Sequence, residues 1–555
     1  MFPTIHVIIL LLIGDDFLKK YGTLISIIIT IIFAGILYYL IYPALNITNV
    51  GFWMYLFVVF IVFCALNTIF TLKVGLEELF KGRIINRRSL KASKLLLIIP
   101  VVFLIIITIN FILSPVFNSK AYYQRITVDS SVEFTEDIEE ANFNKMPLLD
   151  RDSSEKIGDR TMGQMSELVS QFDVSSQYTQ INYKDEIIRV TPLEYNGIIK
   201  WFTNRKEGIK GYITVNSTTG SAKLVKLKKG MKYAPSGLFN DNIYRKLQLT
   251  YPTKNFESVN FEIDNKGNPY WVASVVKYVG VGIRRDDTGV VILDPITGKS
   301  KYYDVDKVPT WVDHVYEADL VLEQINDWGK YKNGFINSLI GQRDVVQTTA
   351  GYNYLAQNDD IYLYTGITSV LADESNIGFT LTNMRTKETK FYDVAGAEEY
   401  SAMESAKGQV QQMNYTSTFP LLINLNNKPT YLISLKDNAG LVKMYAFVDV
   451  VDYQKVVVTD SSKGIKKAAE AYLNEVGEES SGGTDAQEKE ITVKDIRIAS
   501  VDGTTYYYFR DSNEQKYKVS IKIAKDRLPF LNDGDTLKIK FDKEKEVIVI
   551  TDIID

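Results

Sequence analysis

The N-terminal part of the chain alternates between long uncharged apolar segments and short polar connections. The apolar segments occupy residues 22–42, 51–72 and 95–117. Each is long enough to cross the roughly 30 Å of hydrocarbon in a bilayer as an α-helix, and a buried helix of a soluble protein rarely stays uncharged over that length. The pattern therefore predicts a three-helix membrane anchor at residues 21–118.

The connections between these segments carry unequal charge. Residues 73–94 contain seven Lys or Arg and two Glu, whereas residues 43–50 contain no charged residue. By the positive-inside rule, the N-terminus and the 73–94 connection are expected in the cytoplasm, and everything after about Lys120 outside. We therefore expect a multi-pass protein of the cell membrane with a large extracytoplasmic C-terminal region.

The first twenty residues contain a shorter apolar run, which raises the question of a signal peptide. This run has no basic residues before it and no small-residue cleavage site after it, and Asp15 and Asp16 follow it. Residues 1–20 are therefore predicted to be an interfacial or re-entrant segment. Residues 119–175 are predicted to connect the anchor to the outer region.

Beyond the anchor, apolar and polar residues alternate in short runs separated by turn residues, which is typical of β-strands. One hairpin pattern occurs three times, beginning at Gly211, Gly289 and Gly378. Asx and Thr side chains hydrogen-bond to the backbone of a turn, and Gly supplies a positive φ. We predict that the following residues are structural turn residues: Asn216, Thr219, Gly220, Asp294, Thr297, Gly298, Asn383 and Thr386.

A longer similarity links residues 247–274 to residues 410–434, since both contain a helical lead, a strand, an Asn-Lys turn and a second strand. Together with the hairpins, it predicts a duplicated block of about 165 residues in the order A-B-A′-B′, whose units pack on their neighbours to complete a core. The predicted units are A at 176–240, B at 241–330, A′ at 331–396 and B′ at 397–476. Helical patterns at 314–328 and 464–476 follow units B and B′.

Unit B resembles the PepSY domain, a small extracytoplasmic module of bacterial proteins. The resemblance consists of a helix, a strand, an Asn-Lys-Gly turn, a second strand and the closing sequence ILDPITGKS, in which Asp294, Thr297 and Gly298 match a D-x-x-T-G pattern. It covers residues 240–305, extends to residues 405–458 without the Thr-Gly, and includes only the final hairpin of units A and A′. The resemblance implies binding or inhibitory modules attached to a membrane protein. The layout also resembles that of membrane-anchored envelope proteins of Gram-positive bacteria.

The C-terminal residues form a separate predicted module. Residues 477–490 are acidic and lack large apolar side chains, so they are predicted to be a flexible linker. Residues 491–555 contain five predicted strands and resemble a small OB-like or SH3-like β-barrel. OB barrels often bind oligonucleotides or oligosaccharides on one face. Tyr506, Tyr507 and Tyr508 are a candidate stacking face for a glycan, and a strand with tyrosines on both faces is the favoured alternative.

These patterns together predict the fold class. Three N-terminal transmembrane helices precede an α+β, mostly antiparallel β, extracytoplasmic region of duplicated PepSY-like units, and a small OB/SH3-like β-barrel ends the chain. The 63 basic and 67 acidic residues give a net charge of -4, so no nucleic-acid partner is expected. The single cysteine, Cys64, excludes an intrachain disulfide and a cysteine metal site.

The sequence contains no recognisable catalytic motif. It has no nucleophile elbow, P-loop or HExxH, and only two histidines. His314 beside Asp313 suggests an acid–base pair, but a polar residue near the start of a helix is favoured. No catalytic site, cofactor or metal is therefore expected.

Three functional classes are considered. The favoured one is a non-enzymatic envelope protein whose outer region binds or assembles, as a scaffold, a self-associating homo-oligomer or an inhibitory module. Its expected contacts are the lipid bilayer and an envelope protein or wall polymer. The alternative is an accessory or sensor subunit of a transport or signalling complex, although the predicted spans contain few polar residues for an ion path. An envelope enzyme is disfavoured.

Overall fold

The computed structural model of the protein describes residues 15–80, 98–164, 166–357, 360–370, 375–479, 487–501, 504–541, 547–550 and 552–554. The chain divides into two compact units. The first unit comprises residues 1–401, 418–429 and 439–441, and the second comprises residues 402–417, 430–438 and 442–555.

Two helices near the N-terminus are long and apolar enough to cross a membrane. They are α1 (Asp15–Ile41) and α2 (Val50–Phe80), with the apolar stretches Tyr21–Ile41 and Val50–Ile69. The helices pack against each other, and the Tyr55 hydroxyl donates a hydrogen bond to the Ala34 carbonyl oxygen at 3.1 Å. Two of the three predicted spans are thus present as continuous helices.

The predicted third span is a pair of helices with a bend between them. Helix α3 (Ile98–Leu113) and helix α4 (Pro115–Tyr123) meet at an angle of 51°. Pro115 has no backbone N–H to continue the ladder of α3, which explains a break at this point. The predicted segment 1–20 and the basic connection 73–94 lie largely outside the described residues. The described part of the former, from Asp15, already belongs to α1.

Most of the described helices that follow α4 are short. They are α5 (Phe134–Asp137), α6 (Arg151–Gly163), α7 (Ser166–Val169), α8 (Gly197–Asn204), α9 (Ile243–Thr250), α10 (Ala318–Tyr331), α11 (Gly334–Ile336), α12 (Glu399–Gly408) and α13 (Ile465–Glu479), with a π-helical turn at Asn337–Gly341. Short 3₁₀ turns lie at Phe143–Lys145, Phe239–Asp241, Val305–Lys307, Gln411–Met413, Ser461–Lys463, Ile521–Ile523 and Leu528–Phe530. The helix predicted at 314–328 begins at Ala318 because the Glu317 side chain caps it, accepting the Leu320 N–H at 3.0 Å.

Three mostly antiparallel sheets form the outer part of the first unit. The first sheet has the order β2-β4-β5-β6, with β3 also paired to β4. The second sheet has the order β10-β9-β8-β7. The third has the order β1-β15-β14-β13-β11, with β12 on β13, β16 on β14, and β1 parallel to β15. The strands of these sheets occupy residues of the predicted units A, B and A′, apart from β1 and β2, which precede the units, and Ala397 of β16, which follows unit A′.

The strands of these sheets have the following bounds. The first sheet contains β2 (Phe172–Val174), β3 (Thr179–Tyr183), β4 (Glu186–Tyr195), β5 (Ile209–Asn216) and β6 (Ala222–Met231). The second contains β7 (Asn255–Ile263), β8 (Pro269–Val279), β9 (Arg284–Leu293) and β10 (Ser300–Asp304). The third contains β1 (Val128–Asp129), β11 (Val346–Thr348), β12 (Asn353–Gln357), β13 (Asp360–Ser369), β14 (Ser375–Asn383), β15 (Thr389–Tyr392) and β16 (Gly396–Ala397).

The second sheet is buried on both faces. Phe261, Trp271 and Leu293 belong to a core shared with the first sheet. Val272 and Ile292 point the other way and belong to a core shared with helix α10 and the third sheet. This alternation follows from the two-residue period of a strand, and it makes the second sheet the central layer of the first unit.

The second unit contains one sheet followed by the C-terminal module. The sheet has the order β17-β19-β20-β21, and α13 packs against β20 and β21. Its strands are β17 (Thr416–Ser417), β19 (Lys428–Lys436), β20 (Val442–Asp449) and β21 (Val456–Asp460), while β18 (Leu421–Leu425) consists of first-unit residues.

The described residues of the C-terminal module form seven strands, where the sequence predicts five. The order β22-β26-β28 forms one sheet and β23-β24-β25-β27 the other, and one hydrophobic core contains residues from both. The strands are β22 (Gln487–Thr492), β23 (Lys494–Val501), β24 (Thr504–Arg510), β25 (Lys516–Ser520), β26 (Thr536–Phe541), β27 (Val547–Val549) and β28 (Asp552–Ile554). The predicted linker 477–490 is shorter than expected, because α13 continues to Glu479 and β22 begins at Gln487.

Candidate functional site

A cavity of about 520 Å³ in the first unit is the strongest candidate for a binding site. Its walls come from all three sheets of that unit, through β3, β4, β7 and β12, and from the N-terminal ends of α6 and α10. Thr418 and Phe419 complete the lining. The volume lies within the range of roughly 300–1,000 Å³ that is usual for small-molecule sites.

Arg189 is the main cationic group in the wall of this cavity. Its neighbours on β4, Ile188 and Val190, belong to the hydrophobic core, so the alternation of the strand directs Arg189 to the opposite face. Arg189 is only 7% exposed. Among the described residues its Nη2 donates to the Leu149 carbonyl oxygen at 3.5 Å, and its Nε has no partner. Burial lowers the pKa of Arg189 to about 10, so the guanidinium stays charged at neutral pH.

Gln180 lies directly opposite Arg189 in the β3–β4 pair. It is 2% exposed, and neither its side-chain nitrogen nor its side-chain oxygen has a hydrogen-bond partner within the described part of the protein. A buried amide without partners costs about 1–3 kcal/mol. Gln180 and Arg189 both line the cavity, and their adjacent donors without partners are enclosed behind its surface. Such donors would suit an anionic oxygen group that reaches them.

His314 forms part of the same wall and is held by the backbone of β3. Its Nε2 lies 2.7 Å from the Gln180 carbonyl oxygen, which can only accept, so Nε2 carries the proton. The ring packs edge-on against Tyr354, with centroids 5.3 Å apart. Burial lowers the pKa of His314, and the charge of Arg189 lowers it further. His314 is thus a neutral hydrogen-bond donor to the backbone.

Two buried carboxylates fix the segment that carries His314. The Glu262 carboxylate accepts the backbone N–H groups of Asp313 at 3.0 Å and of His314 at 3.3 Å. The Asp313 carboxylate accepts the Asn182 N–H at 2.7 Å. Burial raises the pKa of Glu262 to about 7. The pair considered from the sequence, His314 and Asp313, therefore uses its side chains to hold β3, which is a positioning role.

The remaining walls of the cavity are aromatic and acidic. Tyr352 and Tyr354 stand edge to face, with centroids 5.5 Å apart, and line the cavity together with Phe419. Asp150 and Glu317 also line it, and each caps a helix by accepting a backbone N–H at 3.0 Å. The site therefore offers a buried cation, an amide and flat apolar surfaces to a ligand.

A second set of polar contacts joins the β-rich part of the first unit to the apolar helices near the N-terminus. The turn between β8 and β9, residues 280–283 (the hairpin tip), lies against the ends of these helices. The Asn110 side chain donates to the Val281 carbonyl oxygen at 3.0 Å and accepts the Val281 N–H at 2.8 Å. The Gly282 N–H donates to the Thr48 carbonyl oxygen at 3.0 Å. Gly282 has a φ of +72°, and a Cβ there would lie 2.5 Å from the Val50 side chain.

Arg125, just after α4, extends this connection with a buried ion-pair network. Its side chain is 1% exposed and pairs with Asp286 at 3.3 Å, with Glu323 at 2.8 Å, and with Asp327. These partners lie on β9 and α10, so the network ties the end of the bent helix pair to the second sheet and to α10. Removing one member of such a buried network leaves an uncompensated charge.

The residues predicted from the repeated hairpin form three turns with the same hydrogen bonds. Asn216, Asp294 and Asn383 each accept, through Oδ1, the backbone N–H groups two and three residues later, at 2.8–3.2 Å. The hydroxyls of Thr219, Thr297 and Thr386 each accept the N–H two residues on, at 3.3 Å. Gly220 and Gly298 have φ values of +72° and +73°, and Lys387 takes the equivalent position at +67°. The three turns connect neighbouring strands in three separate sheets, β5 to β6, β9 to β10 and β14 to β15.

The three consecutive tyrosines of the C-terminal module point to opposite faces of β24. Tyr507 is in the hydrophobic core. The rings of Tyr506 and Tyr508 lie on the other face with centroids 6.4 Å apart, and the Lys518 ammonium is 3.8 Å from the Tyr506 ring centre. Only two of the three tyrosines thus share a face, and of these Tyr506 is buried while Tyr508 is half-buried.

Sequence reasoning missed Arg189, Gln180 and the aromatic wall. Arg189 lies in the apolar run IIRVTPL, and an arginine in such a run is normally interpreted as the solvent-facing residue of an edge strand. The one sequence feature that pointed to this cavity was His314, one of the two histidines in the sequence. No sequence pattern connects it with β3 and β4, because tertiary packing brings these segments together.

No protein-family model matches the chain, and no curated protein matches it. Among solved structures, a variant of the apocarotenoid oxygenase of Synechocystis aligns at 7% identity over 67% of this chain and 59% of that chain, with a TM-score of 0.14. The cobalt-substituted form of the Synechocystis enzyme aligns at 6% identity over the same shares, with a TM-score of 0.13. The chain therefore spans less than two thirds of these structures, and scores this low carry no argument about fold or function.

Proposed function

We propose that this is a membrane-anchored cell-envelope protein whose outer region acts by binding, without catalysis. In this proposal the bent pair α3–α4 forms a third crossing, the N-terminus is cytoplasmic, and the region from about Lys120 onward is extracytoplasmic. The two apolar helices and the charge of residues 73–94 support that topology. The repeated hairpin units, with their PepSY-like pattern, serve as the binding modules.

The ligand proposed for the cavity is a small molecule that carries a carboxylate and an apolar or aromatic part. The observation that carries this proposal is the buried Arg189 guanidinium, whose Nε has no partner, beside the unsatisfied amide of Gln180. Arginine and carboxylate have matching geometry for paired hydrogen bonds. Tyr352, Tyr354 and Phe419 would contact the apolar part of the ligand.

The test compares carboxylates with their neutral amides on the full-length protein in detergent. Thermal unfolding is followed with acetate, 3-phenylpropionate, L-alanine and alanyl-alanine, each beside its amide. A ligand that binds only the folded state raises the unfolding temperature in a saturable way. We expect at least one carboxylate to do so and its amide not to. An equal effect of acid and amide, or no effect across the panel, would reject the carboxylate proposal.

The connection between the cavity and the anchor favours a second candidate, a sensor or accessory subunit of a membrane complex. The second sheet contributes Ser258 and Asn260 of β7 to the cavity, and its hairpin tip holds Asn110. The candidate predicts that a bound carboxylate changes hydrogen exchange at the hairpin tip. Protection confined to β3, β4 and β12 would instead favour a binding protein that sends no signal.

Self-association and contacts with an envelope protein or a wall polymer belong to the same proposal. The half-buried ring of Tyr508, beside Tyr506 on the same face of β24, supports a glycan contact in the C-terminal module. Light scattering of the full-length protein in mild detergent tests the homo-oligomer, since a monomeric mass would exclude it. Co-sedimentation with cell-wall polymer tests the glycan contact, and a Tyr506→Ser, Tyr508→Ser variant should then lose it.

A further inference from the structure

Two exposed apolar patches lie on the outer part of the first unit, and each adjoins the end of a membrane helix. The α8 patch consists of Ile198, Ile199, Phe202 and Phe239, which are 62–76% exposed. The α11 patch consists of Ile336, Leu339 and Ile340, which are 58–83% exposed. Clusters of large exposed apolar side chains commonly mark a surface that contacts another apolar phase.

The α8 patch is joined to the end of α1 by a short chain of contacts. The Arg245 guanidinium donates to the carbonyl oxygens of Tyr39 at 3.0 Å and of Phe239 at 2.6 Å. The Tyr39 hydroxyl lies 3.1 Å from the Asn240 side-chain oxygen, to which it donates. Phe239 in turn contacts Trp201 of α8, with ring centroids 5.9 Å apart. The patch therefore begins where the apolar stretch of α1 ends.

The α8 helix itself has the character of an interfacial helix. Trp201 faces the core of the first sheet, while Ile198, Ile199 and Phe202 face outward. The exposed cations Arg205 and Lys206 follow the helix, with the Arg205 guanidinium 4.7 Å from the Trp201 ring centre. An apolar face with basic residues at its edge is typical of helices that lie in the headgroup region of a bilayer.

The α11 patch stands in the same relation to the bent pair α3–α4. Helix α11 packs against α4, and a Cβ at Gly334 would lie 4.0 Å from the Ser119 hydroxyl. Tyr122 of α4 and Tyr331 of α10 pack edge to face, with centroids 5.9 Å apart. The exposed cations Lys332 and Arg343 flank the patch, so it too combines apolar side chains with basic residues.

We propose that the α8 and α11 patches insert into the outer leaflet of the bilayer, so that the outer region rests on the membrane at two places beside its anchor. The inference rests on the membrane anchoring in the proposed function and is independent of the cavity. The occupant is the lipid surface, because both patches continue the apolar surface of helices that enter it. The basic residues at their edges would contact the phosphates of the headgroups.

The test places a fluorophore at single cysteines in the full-length protein in lipid nanodiscs and measures quenching by a spin label near the lipid headgroup. The variants, in a Cys64→Ala background, are Ile199→Cys, Ile340→Cys, the control Asp185→Cys and the anchor reference Leu40→Cys, which lies at the end of the apolar stretch of α1 and is exposed. Asp185 precedes β4 and α8 follows it, so the ten-residue strand separates the control from the patch by about 30 Å. All four positions are exposed, so labelling leaves the core intact.

We expect quenching at 199 and 340 to be about threefold or more above that at 185, because an interfacial helix sits about 5–10 Å into the headgroup boundary. If position 40 is quenched while 199 and 340 match 185, the patches face water and the inference is wrong although the anchoring stands. If position 40 is not quenched, the anchoring fails and the inference fails with it. Carboxylate binding by the same labelled proteins reports separately on the cavity.

Discussion

A substitution of Arg189 gives the sharpest test of whether the cavity is a binding site. The burial of its charge opposes folding, so a purely structural role would not explain the residue. Desolvation lowers its pKa to about 10, and the nearby Asp150 and Asp152 carboxylates offset this only in part. A lowered pKa means that, at any pH below about 10, the charged form is less favoured in the folded protein than in the unfolded chain. At about 1.4 kcal/mol for each pKa unit, the cost at neutral pH is about 3 kcal/mol.

The substitution Arg189→Met removes this cost and keeps a flexible side chain that fills much of the same space. The variant also loses the 3.5 Å hydrogen bond to the Leu149 carbonyl oxygen and some packing. Together these two losses reduce the gain in the free energy of unfolding by about 1 kcal/mol. We therefore expect the ligand-free variant to be more stable than the original protein by about 2 kcal/mol, in contrast to the usual destabilising effect of a buried substitution.

The assay is urea unfolding of the full-length protein in mild detergent at neutral pH, followed by tryptophan fluorescence. Arg151→Met is the matched control, because Arg151 lines the same cavity but is exposed. Its change should stay within about 0.5 kcal/mol. The Arg189 variant should also lose any stabilisation by carboxylates, which the control retains. A loss of about 2 kcal/mol or more in the ligand-free Arg189 variant would refute the reasoning, since it would make the guanidinium a structural group.

Three further substitutions test other parts of the structure. Burial raises the pKa of Glu262 to about 7, so the folded protein favours the protonated carboxyl and loses that stability as the pH rises through 7. The free energy of unfolding of Glu262→Gln should therefore gain about 2–3 kcal/mol relative to that of the original protein between pH 5 and pH 8. A pH-independent difference between the two proteins would contradict this. Gly298→Ala should lower the unfolding temperature, because Gly298 has a φ of +73°. Gly163→Ala should not lower it, because Gly163 has a helical φ and no atom lies near the position of its Cβ. Equal effects of the two substitutions would contradict the turn geometry. Asn110→Leu leaves the Val281 backbone groups unpaired at a cost of about 1–3 kcal/mol in stability. Hydrogen exchange at the hairpin tip should therefore accelerate, and unchanged exchange would argue against a contact between Asn110 and the hairpin tip.

The features that the sequence predicted well depend on local interactions. Each repeated turn is held by side chains that bond to the backbone two or three residues away, so Asn216 or Asp294 reports its turn without reference to the rest of the fold. The apolar stretches of α1 and α2 are likewise read from continuous segments. The bend in the predicted third span could not be read in this way, because Pro115 breaks the helix within an otherwise uniform apolar run.

The cavity depends on interactions that no local pattern reveals. Arg189 and Gln180 face each other only because β3 and β4 pair in one register, and a slip of β3 by one residue would turn Gln180 to the opposite face, away from Arg189. His314 joins them through packing of the second and third sheets. Burial, which decides whether an arginine in an apolar strand is a surface residue or a binding group, is a property of the assembled layers.

The central position of the second sheet also decides what binding can do. Its β7 strand forms part of the cavity wall, and its hairpin tip is bonded to Asn110 of α3. Because side chains on both faces of this sheet are close-packed, it cannot move at one end without displacing its neighbours. In the sensor proposal, a ligand that fills the cavity without moving β7 therefore leaves the contacts of Asn110 and Arg125 unchanged. A ligand that shifts β7 would change the contacts of Asn110 or of the Arg125 network, and this is the route by which the proposed sensor would signal.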